Sequence, residues 1–257
     1  MIELRTPAEI DEMRPAGKFV ASVLSAVKNA TSVGTNLLEL DALAHSMIRD
    51  AGAESCYIDY HPSFGASPFG KVLCTSVNDA VLHGLPHDYA VAAGDIVSID
   101  FAASVNGWVA DSAISFIVGD ADPEDIRIIR ATEEALVAGI AKAVPGNALG
   151  DISAAIGDVA ASYGYTVNMD FGGHGVGREM HGDPHVPNDG RPGRGFRIRE
   201  GLVIAIEPWF MRTTDEIYTD DDGWTLRSAD GSRGAHSEHT VAITADGPIV
   251  LTDRAGL

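Results

Sequence analysis

Cysteine and long apolar runs are scarce in this chain, and each scarcity excludes a class of protein. Cys56 and Cys74 are the only cysteines in 257 residues, which excludes a disulfide scaffold, and their spacing is not that of a zinc-thiolate site. No apolar run approaches the roughly 20 residues that a membrane-spanning helix needs. Residues 1–7 also lack the apolar core of a signal peptide. We therefore expect a cytoplasmic protein with two reduced thiols.

The charge balance is strongly acidic. The chain has 37 Asp and Glu residues against 18 Lys and Arg, a formal net charge of −19. Binding to nucleic acid requires a basic face for the phosphates, and an anionic membrane surface would repel this chain, so neither is expected as a partner. The fractions of hydrophobic residues (45%) and charged residues (21%) are those of an ordinary globular protein. Because no proline-rich or serine-rich linker divides the chain, we predict one domain over residues 1–257.

Periodicity and capping signals predict an alternation of helices and strands. A capping box over residues 6–9, with proline at the first helical position, starts the first helix. A run of acids and a proline at 122–125 starts a long helix in the second half of the chain. Further helices are predicted over 35–51 and 148–163, and strands near 71–77, 96–104, 108–118, 165–171, 202–210 and 236–244.

Two segments are near copies of each other, and each ends in a carboxylate. Residues 94–100 and 201–207 both begin with glycine, continue through β-branched residues and end in Asp100 and Glu207. The segments that follow them, 111–117 and 238–244, also resemble each other, though less closely. Similar segments that recur in the same order predict two homologous halves, over about 7–119 and 120–250, which meet at a pseudo-twofold axis.

Four carboxylates in these segments are candidates for a shared metal centre. Asp100 and Asp111 flank the Asn-Gly pair at 106–107, a strong hairpin signal that would place both acids on neighbouring antiparallel strands. Glu207 and Glu238 occupy the corresponding positions in the second half. Burying unpaired carboxylates is costly, and like charges that are close together repel, so a cation between them is the expected partner.

His174 is the candidate nitrogen ligand. Four glycines surround it within residues 171–177. A lone histidine is more often structural, but this glycine density favours close approach by a ligand. Four carboxylates and one imidazole suit two divalent ions of manganese, iron, cobalt or zinc. Two such ions that share a water constitute the two-metal arrangement for hydrolysis.

These residues resemble the metal ligands of the type I methionine aminopeptidases. Residues 172–177 with His181, and residues 74–86 with His83, are similar to that family's hallmark motifs, and the similarity covers essentially the whole chain. No zinc-finger or proline-rich extension precedes Thr6, which is typical of the short bacterial form. The resemblance implies the pita-bread fold, an α/β (α+β) architecture whose two pseudo-twofold related halves have antiparallel sheets covered by helices. The five ligands that it implies are Asp100, Asp111, His174, Glu207 and Glu238.

The resemblance also implies a role for each ligand. Asp100 would chelate one ion, while His174 and Glu207 would serve the other. Asp111 and Glu238 would bridge the two ions. Glu207 would in addition carry the proton of the attacking water. His83 and His181 would be catalytic residues that hydrogen-bond the substrate and the developing oxyanion.

The methionine pocket is predicted by the same resemblance. Cys74 and Trp224 are its first candidates, followed by Phe69, Met180 and Phe64, and for each aromatic residue plain core packing is an equal alternative. The pocket wall is expected to differ from the family pattern, because residues 65–70 lack a tyrosine that many relatives carry and Asp189 stands where relatives often have an aromatic residue. The remaining histidines match no ligand position and default to the surface or to local hydrogen bonds: His45, His61, His87, His185, His236 and His239.

The predicted function is removal of the initiator methionine from new polypeptides with a small second residue. We expect a monomer that acts on nascent chains, with at most a transient ribosome contact. The nearest alternative is an X-Pro aminopeptidase or prolidase-like hydrolase, which shares the fold and ligands but usually carries a large additional N-terminal domain. A second alternative, from another class, is a non-catalytic pita-bread module that binds peptides. Such modules typically lack some of the ligands.

Overall fold

Two helices of the computed structural model, which describes residues 1–63, 65 and 67–256, begin at the predicted capping signals, with Thr6 and Asp122 as N-caps. The Thr6 hydroxyl accepts from the backbone N–H of Glu9, whose carboxylate accepts from the Thr6 N–H, and the capping box is complete. The helix predicted over 35–51 begins two residues later because Asn36 is its N-cap. The helices are α1 (Pro7–Ala30), α2 (Leu37–Ala51), α3 (Pro123–Lys142) and α4 (Leu149–Tyr163).

A long hairpin is the centre of the first half. Its turn residues, Asn106 and Gly107, have φ angles of 53° and 73°, the left-handed pair that a two-residue hairpin turn needs. The first strand of the hairpin pairs with the second along its whole length. The other edge of the first strand pairs with two short strands. The strands of this half are β1 (Glu54–Ser55), β2 (Cys74–Val77), β3 (Ala80–Leu82), β4 (Ile96–Val105) and β5 (Trp108–Ile117).

The second half of the chain contributes nine strands among the described residues. They are β6 (Gly173–Gly175), β7 (Gly182–Val186), β8 (Val203–Ile206), β9 (Trp209–Met211), β10 (Ile217–Thr219), β11 (Leu226–Ser228), β12 (Gly234–His236), β13 (His239–Thr244) and β14 (Gly247–Val250). Five of them form an antiparallel sheet in the order β14-β13-β8-β6-β7. Two smaller sheets accompany it: β12 pairs with β9, and β10 and β11 continue onto β3 of the first half.

Three strand predictions for this half need correction. The strand expected at 165–171 does not form, because the Asn168 side chain bonds to its own loop at the Asp170 N–H and to the Asp215 carbonyl. The strands expected at 202–210 and 236–244 each divide into two pieces. The breaks fall at Glu207, which precedes a proline, and at Glu238. Both candidate ligands therefore lie where regular pairing stops.

The two halves meet along a seam between β5 and the segment that carries β12 and β13. The Glu238 N–H donates to the Ala113 carbonyl at 3.1 Å. The Thr240 hydroxyl accepts from the Asp111 N–H at 2.9 Å and donates to the Asp111 carbonyl at 2.8 Å. The Ser112 hydroxyl donates to the Glu238 carbonyl. These hydrogen bonds hold candidate ligands from both halves close to one another.

Each helix pair covers its own apolar core. Buried residues of α1 and α2 pack on β4 and β5, while those of α3 and α4 pack on β8 and β13. A third apolar cluster lies between them, beside the candidate site. The homology of the two halves about a pseudo-twofold axis stays a prediction. Within the described residues no helix is long and apolar enough to span a membrane.

Candidate metal centre and active-site cavity

The hairpin register brings the first two carboxylates onto one face. Asp100 pairs with Ala113 and Asp111 pairs with Ala102, so the two acids are diagonal neighbours with side chains on the same side of the sheet. The Tyr57 hydroxyl lies 2.7 Å from Oδ1 of Asp100 and 3.4 Å from Oδ1 of Asp111. A single phenol thus orients both carboxylates.

The other two carboxylates lie just beyond the ladder that joins β8 to β13. Its last pair is His239 with Ile206, so Glu238 and Glu207 follow side by side where the strands part. The Glu238 side chain is almost fully buried, and that of Glu207 is 12% exposed. The hydrogen bonds across the seam between the halves place Glu207 and Glu238 on the side of the molecule where Asp100 and Asp111 lie.

His174 completes the set from β6. Its Nε2 atom lies 3.7 Å from Oδ2 of Asp111 and 3.5 Å from Oε1 of Glu207. Strand packing also requires a glycine beside it. A Cβ atom on Gly173 would lie 2.2 Å from the Ala205 carbonyl oxygen, while Gly172 lines the active-site cavity, as His174 does. That the glycines allow a ligand to approach stays a prediction.

All five candidate ligands converge. Three overlapping groups, each with ligand atoms within 4.8 Å of one another, connect them and add two further histidines. The groups are Asp111, His174 and His181; Asp100, His236 and Glu238; and His174, Glu207 and Glu238. One compact cluster of oxygen and nitrogen donors therefore joins the two halves of the chain.

Burial disfavours the charged form of each of these four carboxylates. It raises the pKa of Asp100 to about 6, although the Tyr57 hydroxyl acts in the opposite direction. Burial, followed by the charge of Asp100, raises the pKa of Glu207 to about 8. Burial and neighbouring carboxylates raise the pKa values of Asp111 and Glu238 well above normal. Such a cluster needs either protons or cations to neutralise it.

The residues present fit divalent cations. Oε1 of Glu238 is buried and has no hydrogen-bond partner among the described residues, and buried polar atoms are normally satisfied. Burial, and next the nearby His181, lowers the pKa of His174 to about 3. The imidazole is therefore neutral, which is the form that binds a metal. Four carboxylates and one neutral imidazole form an oxygen-rich donor set of the kind that manganese, iron, cobalt and zinc accept.

A cavity of about 320 Å³ opens onto this cluster, within the usual range for small-molecule sites. Its apolar side is a series of rings in contact: Tyr57 with Phe69, Phe69 with Trp224, and Trp224 with Tyr60 at centroid distances of 5.7, 5.1 and 6.2 Å. Cys74 reaches the cavity because it pairs with Asp100 across β2 and β4. All four pocket candidates within the described residues line the cavity, namely Cys74, Trp224, Phe69 and Met180. Phe64 lies outside the described residues.

The two candidate catalytic histidines also line the cavity. His83 directly follows β3 and has a φ angle of 54°, a left-handed conformation. Burial, and secondarily His181, lowers the pKa of His83 to about 4. The His181 ring lies 4.4 Å from that of His174, and its Nδ1 atom is 2.9 Å from the Tyr60 hydroxyl. Both imidazoles thus face the space above the carboxylates.

Several residues at the site were missed by sequence reasoning. Tyr57 and Tyr60 lie in a segment for which no helix or strand was predicted, and no local pattern marks them. His236, assigned to the surface or to local bonds, instead lies buried at the centre. His185 is exposed as expected, and it also lines the cavity. The one available signal for His236 is its spacing of two from Glu238 near a strand, which puts both on one face. Local hydrogen bonds do engage His61, His87 and His239.

Comparison with known proteins adds an independent line of support. Residues 11–245 match metallopeptidase family M24. A methionine aminopeptidase of Aquifex aeolicus is 43% identical over 98% of this chain and 99% of its own length. Methionine aminopeptidase 1 of Mycobacterium tuberculosis is 46% identical over 98% of this chain and 95% of its own length.

Solved structures of known proteins are similar to this chain in fold. The crystal structure of methionine aminopeptidase from Thermotoga maritima has a TM-score of 0.93 at 38% identity and covers 98% of this chain and 100% of that chain. The prolidase of Pyrococcus furiosus has a TM-score of 0.77 at 23% identity, and the match covers 97% of this chain and 65% of that chain. The likeness to the prolidase is therefore one of fold alone.

Proposed function

This chain belongs to metallopeptidase family M24, and we propose that it is a metal-dependent aminopeptidase that removes the N-terminal methionine from polypeptides. The observation that carries the proposal is the convergence of four carboxylates and His174, from opposite halves, at the base of an aromatic-walled cavity. The relatives named methionine aminopeptidase, similar over nearly the whole chain, support the same activity.

The proposed division of labour follows from position. Asp100, Asp111, His174, Glu207 and Glu238 would hold two divalent ions, with Asp111 and Glu238 shared between them. When bound, such ions polarise the scissile carbonyl and lower the pKa of a water. The substrate's α-amino group and scissile carbonyl would lie at this cluster, with the methionine side chain against the rings of Phe69 and Trp224.

Proton transfer and charge stabilisation are proposed for three residues. Glu207, at the edge of the cluster and 12% exposed, would take a proton from the attacking water and give it to the leaving amine. His83 and His181 would donate hydrogen bonds to the oxygen on which negative charge develops, a contribution that commonly amounts to about 10²-fold in rate. The His181 ring packs on His174 at 4.4 Å, and we propose that these two rings crowd the space beyond the scissile bond. A small second residue should therefore be preferred.

The activity is tested with three peptides. Met-Ala-Ser should be cleaved much faster than Met-Leu-Ser, and an X-Pro dipeptide should not be cleaved. Asp111→Asn should lower kcat/KM by at least about 10²-fold, because it removes a charge that both ions would share. Asp221→Asn, on an exposed loop, is the matched control and should leave the rate unchanged. Faster turnover of the X-Pro dipeptide, or full activity of Asp111→Asn, would refute the proposal.

Metal number and identity are a separate proposal. We expect two ions per chain, since Glu238 and His174 each belong to two of the three overlapping groups of donors. Activity should vanish on chelation and return with individual additions of manganese, iron, cobalt or zinc. Elemental analysis of the reactivated enzyme should give a ratio near two. A ratio near one at full activity would contradict the two-ion arrangement.

The setting of the reaction is also proposed. Newly made chains begin in the cytoplasm, and we place the enzyme there. All the proposed ligands come from one chain, so a monomer is sufficient for activity. Contact with the ribosome stays a prediction, tested by cosedimentation of the purified enzyme with ribosomes.

A further inference from the structure

We propose that His236 is a positioning residue of the metal centre, whose ring nitrogen orients the carboxylates of Glu207 and Glu238. This inference rests on the proposed function, because it concerns the same centre. Nothing in the comparisons assigns a role to His236, and the sequence patterns left it without one. Its position in the structure carries the argument.

The His236 backbone is fixed on both sides. It is the last residue of β12, where it pairs with Trp209. The Ser115 hydroxyl on the first half of the molecule accepts from the His236 N–H and donates to the His236 carbonyl, both at 2.8 Å. That serine is in turn 2.7 Å from the Ser98 hydroxyl. The ring therefore projects from an anchored point, not from a loop free to adjust.

The ring nitrogen is unsatisfied although it is buried. The His236 side chain is 3% exposed, and its Nε2 atom has no hydrogen-bond partner among the described residues. The nearest charged atoms are Oε2 of Glu207 at 3.9 Å and Oε2 of Glu238 at 3.8 Å. These separations exceed a direct hydrogen bond of about 3 Å, and the proposal includes a rotation of either carboxylate that closes them. An unpaired buried nitrogen is costly, so its placement between two acids calls for a role.

The first half of the centre shows what such a role looks like. There the Tyr57 hydroxyl holds the carboxylates of Asp100 and Asp111. No described side chain donates a comparable hydrogen bond to Glu207 or Glu238, and Oε1 of Glu238 is itself unpaired. Carboxylates that bind metals usually have an outer partner that fixes their orientation, and loss of it typically weakens metal binding by about 10- to 100-fold. For the second-half acids, His236 is the residue in that position.

The test measures metal affinity without turnover. Isothermal titration of the chelator-treated protein with Mn²⁺ would compare the wild type, His236→Gln and His236→Leu. Leucine has similar bulk and no donor, so binding should weaken by about 10- to 100-fold. Glutamine keeps an N–H donor, and its affinity should stay within about threefold of the wild type. His239→Gln is the matched control, since that ring bonds Thr252 away from the carboxylates, and its affinity should not change.

A second measurement separates positioning from a purely structural role. In excess chelator, urea unfolding of His236→Leu should show no large loss of stability, because the buried Nε2 atom that it removes has no hydrogen-bond partner among the described residues. If this variant does not fold, His236→Met takes its place as the donor-free variant.

Two results would overturn the inference. One is wild-type Mn²⁺ affinity in the donor-free variant, and the other is equal weakening in His236→Gln and His236→Leu. Failure of the proposed function would look different. The wild type itself would then bind no Mn²⁺ or leave Met-Ala-Ser intact.

Discussion

Raising the pH from 7.5 to 8.5 should destabilise the metal-free protein. An acid whose pKa is higher in the folded state than in the unfolded chain stabilises the fold at low pH. That stability disappears as the pH rises through the folded-state value. Glu207, with a pKa raised to about 8 by burial, titrates inside this window, and Asp111 and Glu238 are shifted in the same direction. The unfolded forms of all three are already ionised there.

Between pH 7.5 and 8.5 the histidines do not offset this loss of stability. The pKa values of His83 and His174 are lowered to about 4 and about 3, which stabilises the fold as pH rises, but only up to about the unfolded value of 6.5. Above pH 7.5 each acid that stays protonated only when folded lowers the free energy of unfolding by about 1.4 kcal/mol per pH unit. Glu207, which is half-titrated at about pH 8, should contribute roughly 1 kcal/mol.

The assay is urea unfolding, followed by tryptophan fluorescence, at pH 7.5, 8.0 and 8.5 in chelator and again with saturating Mn²⁺. In chelator the free energy of unfolding should fall by roughly 1 kcal/mol or more across the window. With Mn²⁺ the fall should disappear, because metal binding displaces protons and strengthens with pH. Glu238→Gln is neutral at every pH and should have a shallower slope. A flat or rising profile in chelator, or parallel slopes for the wild type and this variant, would refute the reasoning.

Three further outcomes are expected from single substitutions. Gly173→Ala should lower the free energy of unfolding by about 2 kcal/mol or more in urea titrations, because its Cβ would meet the Ala205 carbonyl at 2.2 Å; an unchanged midpoint would contradict the packing argument. Tyr57→Phe should weaken Mn²⁺ binding by about 10-fold, since Asp100 loses its donor; unchanged titration calorimetry would count against that role. His83→Ala should lower kcat by about 10²-fold on Met-Ala-Ser while Mn²⁺ affinity stays the same; a change confined to KM would exclude charge stabilisation.

Local signals in the sequence predicted most of the helices and the hairpin. The Thr6 capping box and the Asn-Gly turn at 106–107 each specify a conformation through contacts within a few residues. The same patterns overextended the strands of the second half. Periodicity does not register that the chain stops pairing at Glu207 and Glu238, because that depends on the neighbouring strands and on the seam with β5.

The candidate ligands were identifiable because chemistry constrains residue type. A carboxylate at the end of an apolar strand is unusual enough to stand out, and the repetition of Asp100 in Glu207 indicated a common purpose. The partners of those carboxylates had no such signal. Tyr57 comes from a loop 43 residues before Asp100, and a tyrosine there is ordinary in any sequence.

The sequence alone determined which side chains could bind cations and which segments form helices, since both follow from residue type and from neighbours along the chain. Only the tertiary structure decided which atoms face one another. It brought His174 to within 3.5 Å of Glu207, left the Nε2 atom of His236 between two acids, and packed Gly173 against the Ala205 carbonyl. These outcomes depend on the register across the seam between halves, which is set by contacts between residues more than a hundred positions apart.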